Sequence, residues 1–211
     1  MHSLRERRLL GLLSRCAWET VKRVYRAVLC RSDGLPGMVA SLQTFGSQLQ
    51  WNPHVHALAS DGLLLPGGDF IPMPLWSEEF EELLTETLRL LVRDALVGED
   101  RLTEGFRERL LTFGHGGGFS VYGRHLILNE EPARLAHMAR YIVRPPVAAD
   151  RVHMTDDGRV LLDIPPDPKT GDRVLVLDPL EWIRRVTKQI PAPRSHQVRY
   201  YGAYANKVRR R

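Results

Sequence analysis

The sequence predicts an α+β fold with a mainly antiparallel sheet, and two observations carry that expectation. Short apolar segments of strand character are mixed with segments of helical period, without the strict alternation that parallel sheets require. Glycine-bearing turns, Asp61-Gly62, Pro66-Gly67-Gly68-Asp69 and Asp157-Gly158, sit between several of those runs and mark hairpins rather than long crossovers. At 211 residues with 43% hydrophobic content, the chain is long enough for one compact domain with a substantial core. That domain is expected over 34–193, between a basic helix at 1–33 and a basic tail at 194–211.

Taken in order, residues 4–29 read as a helix whose Leu9, Leu12, Leu13, Cys16 and Ala17 share one apolar face. A loop from Ser32 to Gly37 follows, then a strand at 38–45 apolar enough to be central. A short linker leads to a second strand at 54–59, which Asp61-Gly62 turns, and 63–65 pairs with 70–72 as a small hairpin. Ser77 caps a long helix to about residue 97, with Glu78, Glu79, Glu81 and Glu82 near its positive end. Residues 103–113 form a shorter helix. The glycine run from Gly114 to Gly118 lacks the Lys-Ser/Thr ending of a phosphate-binding loop and leads into a strand at 119–128, so it reads as a flexible turn. A helix at 131–143 ends before Pro145-Pro146, because proline disfavours helix in the residue preceding it. Strands at 152–155 and 159–163 flank Asp157-Gly158, and another follows at 173–177. Asp178-Pro179 starts the last helix, to about residue 190, and Pro191-Ala192-Pro193 releases the tail.

Charge is modest in total and uneven in distribution. The net charge is +5, yet residues 1–33 hold eight Lys/Arg against three acids, and 194–211 hold six against none. Basic ends around a mildly acidic body suit phosphate contacts, with a solubilising tail as the other reading of Lys207, Arg209, Arg210 and Arg211. Tyr200, Tyr201 and Tyr204 beside Arg199 offer stacking platforms for unpaired bases, or ordinary packing. Two scattered cysteines, Cys16 and Cys30, form no CxxC motif and suit a reducing cytoplasm. No run of eighteen apolar residues and no apolar signal core is present, which indicates neither a membrane span nor secretion.

The chemistry concentrates in His54-Val55-His56. In a strand, alternate side chains share a face, so both imidazoles point the same way. Two neutral imidazoles a few ångströms apart form a half-site for a divalent metal. Two histidines that merely alternate are the other reading of so short a motif. Downstream, the helix at 131–143 carries Leu135, Met138 and Ile142 as an apolar stripe, and Tyr141 lies off that stripe in line with His137 and Arg134. Arg140 and Arg144, four apart, share a face. A tyrosine flanked by arginines on a polar helix face, together with the histidine pair, suggests a nucleophile aimed at a phosphodiester.

With Thr44-Phe45-Gly46 and the stretch from Asn52 to Leu58 with Asp61-Gly62, the chain resembles the HUH signature of rolling-circle transposases, specifically the insertion-sequence ninety-one family. Further blocks match in order: Gly117 to Val121, Ala139 to Pro146, Leu177 to Glu181, and His196 to Gly202. The resemblance covers nearly the whole chain. It implies a ferredoxin-like palm with helices on one face, and a DNA endonuclease and strand transferase that acts in transposition of an insertion sequence. Founding members carry two tyrosines four residues apart; here His137 occupies the earlier position, so Tyr141 stands alone, as in single-tyrosine relatives. The cysteine-rich zinc-binding domain that opens full-length members has no counterpart in this sequence.

On that resemblance, Mg²⁺ or Mn²⁺ is held by His54 and His56 and polarises the scissile phosphate. The third ligand is expected at Gln43, a polar side chain on an apolar strand, with a backbone-satisfied core amide as its other reading and His137 as the competing ligand. Tyr141 attacks phosphorus to leave a 5′-phosphotyrosine. A tyrosine phenol ordinarily ionises near pH 10, so the metal or Arg140 and Arg144 must favour the phenolate. Expected DNA contacts are Arg140, Arg144, Arg199, Lys207, Arg209, Arg210 and Arg211. The expected partner is single-stranded or melted DNA at transposon ends, in a bacterial cytoplasm at the nucleoid, with two subunits or two rounds of attack completing a cycle. Two other readings stand beside this one: a truncated remnant that only binds DNA, and a metal-dependent nuclease in which water attacks.

Overall fold

The computed structural model describes residues 4–74, 76–99, 101, 103, 105, 119–123, 126–128, 130–167 and 169–206. Among these the chain is α+β, with every strand pair antiparallel. Helix α1 spans Leu4–Val28, and strands β1 (Gly37–Phe45) and β2 (Trp51–Ala59) follow. The small hairpin is β3 (Gly62–Leu64) with β4 (Phe70–Pro72), and α2 spans Glu78–Gly98. Helix α3 covers Pro132–Ile142. A short 3₁₀ turn leads into β5 (Val152–Met154), then come β6 (Val160–Asp163), β7 (Val174–Leu177), α4 (Pro179–Gln189) and β8 (Val198–Gly202). The strands form three sheets: β2-β1-β8, β3-β4 and β5-β6-β7. No helix among the described residues is long and apolar enough to cross a membrane.

Local chemistry accounts for most boundaries. Ser77 caps α2, its Oγ accepting from the Phe80 N–H at 3.2 Å, and Asp178 caps α4 by accepting from the Leu180 N–H at 2.8 Å. Strand β1 is central, with Met38 and Ala40 fully buried and Ser41, Leu42 and Gln43 nearly so. Helix α1 packs on α2 through a cluster of Leu12, Cys16 and Val92. A second cluster gathers Tyr25, Leu63 and Met73, and a third gathers Leu49, Leu162 and Ile164. Cys16 is buried and Cys30 exposed, both as free thiols.

Two sequence expectations change. Of the strand expected at 119–128, the described residues 119–123 and 126–128 form none: the Val121 N–H donates to Thr85 Oγ1 and the Gly123 N–H to Glu81, both on α2, and the Leu128 N–H donates to Glu131, while 124–125 lie outside the described residues. Residues 198–202, read from the sequence as part of the tail, are strand β8, paired with β1 from Gly37–Gly202 to Ser41–Val198. Trp18 of α1 stacks on Tyr201 at 5.5 Å, and Tyr201 Oη lies 2.8 Å from Ser14 Oγ. Gly202 has φ +55, and a Cβ there would fall 2.0 Å from the Pro36 carbonyl oxygen, so only glycine fits. The helix expected at 103–113 and the turn at 114–118 lie almost wholly outside the described residues.

Candidate functional site

The site begins with register. Gln43 of β1 lies directly opposite His54 of β2, and Ser41 opposite His56. Directly opposed residues share a face, so Gln43 and both histidines point to the same side of the sheet. β2 is an edge strand, which is where Pro53, lacking an N–H, can be accommodated. Between the pairs Gln43–His54 and Phe45–Trp51 the register shifts, so Asn52 and Pro53 together face Thr44 alone. This is a β-bulge, a device that re-aims nearby groups.

The bulge has a chemical result. The Asn52 carbonyl lies 2.8 Å from His54 Nδ1 and can only accept, so Nδ1 carries the proton and Nε2 presents a lone pair. An imidazole that donates one N–H to a backbone carbonyl is oriented as metal-binding histidines commonly are. His54 Nε2 and His56 Nε2 stand 3.1 Å apart. Two nitrogens bound at 2.0–2.1 Å to one ion would be separated by about 3.0–3.4 Å, so the pair already has the spacing of two ligands. Burial, then the neighbouring His54, then Arg144 push the His56 imidazole down to about 4, which leaves it neutral at physiological pH.

Among the described residues no cluster of three or more His, Cys, Asp or Glu is placed for a metal. What stands beside the pair is an amide. Gln43 is 4% exposed, and its Nε2–H donates to the Ile142 carbonyl at 3.0 Å. Its Oε1 is buried, with no hydrogen-bond partner among the described residues. An orphaned buried oxygen is costly, and here it lies on the histidine face, where a cation would satisfy it. The donor set, two imidazole nitrogens and one amide oxygen, fits a divalent ion of borderline or hard character.

Helix α3 delivers the tyrosine. Of its residues only Ile142 is buried, and the following Arg144 turns back over the helix end. The Tyr141 ring meets the His56 ring edge-on at 5.4 Å between centroids, and the Arg144 guanidinium lies 4.4 Å above the Tyr141 ring. Tyr141 remains 37% exposed. His137, the competing ligand, is exposed one turn earlier.

The structure thus brings together His54, His56 and Gln43 from the consecutive strands β1 and β2 with Tyr141 and Arg144 from the distant end of α3. Arg140 is exposed in the last turn of α3. Arg199 stands apart, opposite Ala40 on β8, its Nη1–H donating to the Gly11 carbonyl of α1 at 3.4 Å. Lys207, Arg209, Arg210 and Arg211 lie outside the described residues. Sequence reasoning missed the Asn52 carbonyl and the Ile142 carbonyl as partners. Pro53 inside a strand was a visible signal for the first, whereas nothing local announced the second.

A family model described as "Putative transposase" matches residues 37–211, which include every residue of this cluster. The chain belongs to that transposase family. It is 26% identical over 187 residues to the transposase for insertion sequence element IS801 of Pseudomonas savastanoi pv. phaseolicola, covering 82% of this chain and 44% of that one. It is also 27% identical over 219 residues to "Putative transposase y4qJ" of Sinorhizobium fredii, covering 94% of this chain and 53% of the relative. The chain therefore spans about half the length of these relatives. No solved structure matches it.

Proposed function

We propose that this member of the transposase family is a metal-dependent, single-tyrosine HUH endonuclease and strand transferase of the rolling-circle, insertion-sequence ninety-one type. Its substrate is single-stranded or melted DNA at transposon ends. The observation that carries the reading is the Tyr141 ring set against His56, whose Nε2 stands 3.1 Å from that of His54.

In this reading His54, His56 and Gln43 Oε1 hold Mg²⁺ or Mn²⁺. When bound, the ion supplies Lewis-acid polarisation of the scissile phosphate. Tyr141 Oη gives up its proton to solvent as it attacks, with the Arg144 guanidinium stacked above its ring. The phenolate forms a bond to phosphorus, the bond from phosphorus to the 3′ oxygen breaks, and that oxygen leaves as a protonated 3′-hydroxyl. The 5′-phosphotyrosine conserves the phosphodiester energy, so the reverse attack by another 3′-hydroxyl rejoins DNA without a nucleotide triphosphate. Arg140 and Arg144 serve the phosphates flanking the cut. With one nucleophile, a full cycle takes two subunits or two successive attacks.

The test is incubation with a labelled single-stranded oligonucleotide of the element's end and Mn²⁺, followed by a denaturing gel. A protein–DNA band that survives denaturation is the expected result. Cleavage without such a band would make water the nucleophile, and retention in a native gel alone would make the chain a DNA-binding remnant.

A further inference from the structure

We propose that Gln43 is a positioning residue that couples ion binding at the histidine pair to the seating of the tyrosine helix; this rests on the metal-dependent reading above. The two ends of its amide have different tasks. The Nε2–H holds the carbonyl of Ile142, the residue next to Tyr141, while Oε1 is buried, without a hydrogen-bond partner among the described residues, on the face that carries His54 and His56.

The tether matters because, among the described residues, α3 has few buried anchors beside the ring contacts at Tyr141. Glu131 at its N-cap makes no side-chain cap, only Ile142 among its eleven residues is buried, and Leu135, Tyr141 and Val143 are exposed by 49%, 37% and 53%. The last turn closes with long bonds, the Val143 N–H to Arg140 and the Arg144 N–H to Tyr141, both at 3.3 Å. A segment with few buried contacts opens locally at small cost, so the buried hydrogen bond at its end, together with buried Ile142 and the ring contacts of Tyr141, raises the share of time that Tyr141 is in place. The two ends of the amide are also electronically linked. An amide whose oxygen coordinates a cation gives up electron density from nitrogen, and its N–H becomes a stronger donor. Ion binding at Oε1 therefore tightens the bond to Ile142, so the nucleophile is held most firmly when the ion is present.

Hydrogen exchange on the full chain at pH 8, with and without Mn²⁺, reads the coupling directly, and Mn²⁺ paramagnetic resonance reads binding separately. In the wild type, Mn²⁺ should slow exchange in the last turn of α3 by roughly five-fold, the effect of one strengthened neutral hydrogen bond. Gln43→Glu keeps an oxygen ligand and loses the donor: it should bind Mn²⁺ at least as well and show no ion-dependent slowing. Gln43→Met loses both groups, and should bind Mn²⁺ more weakly and also show no slowing. Without ion, both variants should exchange faster than the wild type at the end of α3, with α1 and α2 unchanged as the folding control. Wild-type slowing in Gln43→Glu would overturn the coupling, and ion-free exchange equal to wild type in both variants would overturn the tether. A wild type that binds no Mn²⁺ would instead sink the metal-dependent reading, while the ion-free comparison still decides whether Gln43 holds the helix.

Discussion

Helices α1 and α3 are both amphipathic and both carry arginines, yet they are fixed to the protein in opposite ways. α1 runs 25 residues and buries Leu12, Ser14, Cys16, Thr20, Val24 and Tyr25 along its length, with Trp18 stacked on Tyr201. α3 runs 11 residues and buries one. The first is held by surface removed from water, a non-directional force that grows with length. The second is held at its end by Ile142, by one amide hydrogen bond, and by ring contacts at Tyr141. A scaffold helix benefits from many small anchors. A helix that brings a nucleophile to a substrate needs a fixed end and an open face.

The largest expected effect tests the open end. Tyr141→Phe removes one oxygen and keeps the ring against His56, so the covalent adduct should vanish while melting temperature and oligonucleotide binding stay at wild-type values. An adduct that persists would move the nucleophile to another tyrosine, with Tyr200, 52% exposed, the first to examine. Next come His54→Ala and His56→Ala, which should lower cleavage by at least about 10²-fold, the scale of losing charge stabilisation at a reacting phosphate. Oligonucleotide binding should stay within a few-fold, since phosphate affinity comes mainly from Lys and Arg. Unfolding of either variant would mean that the histidines are structural.

The scaffold side of the comparison is read by stability. Leu12→Ala in α1 should cost about 2–4 kcal/mol in urea denaturation, as truncated buried leucines do. A loss under 1 kcal/mol would mean that the contact between α1 and α2 does not anchor the fold. The histidine face should show in the pH dependence of the ion-free protein. His56 falls from 6.5 to about 4 on folding, so above pH 6.5 neither state is protonated and its contribution is complete. As pH drops from 6.5 towards 4 the unfolded chain takes up a proton that the folded one refuses, and stability declines. His56→Ala should lessen that decline; an equal decline would assign it to other groups. The smallest effect belongs to Leu135, exposed near the start of α3, where Leu135→Ala should shift stability by no more than about 0.5 kcal/mol. A larger loss would show that Leu135 is covered.

Much of this arrangement was legible in the sequence, where local periodicity sufficed. Two histidines two apart on a strand must share a face, and Tyr141 off the Leu135, Met138, Ile142 stripe must face away from it. Gln43 was legible as an anomaly, a polar residue in an apolar run. What could not be read was whatever depends on register between distant strands: the bulge that puts the Asn52 carbonyl under His54, the reach of Gln43 to Ile142, and the guanidinium of Arg144 over Tyr141. β8 was missed because the Arg-Tyr-Tyr run around it is as compatible with a basic tail as with a strand. Its pairing with β1 decides the matter, and it also means that a deletion probing the basic end should begin after Asn206, since one beginning at residue 195 removes a strand. The strand expected at 119–128 is absent among its described residues: its apolar pattern was suitable, but the N–H groups of Val121 and Gly123 donate to Thr85 and Glu81 of α2, contacts that no local pattern announces.

The edge position of β2 has a topological consequence. Among the described residues the histidine strand has one hydrogen-bonded neighbour, β1, so the pair lies along the rim of a sheet and not at the bottom of a tunnel. A tunnel must be threaded from a free end. A rim can be approached sideways, and on the proposed chemistry a closed circle of DNA could lie against it as readily as a linear molecule.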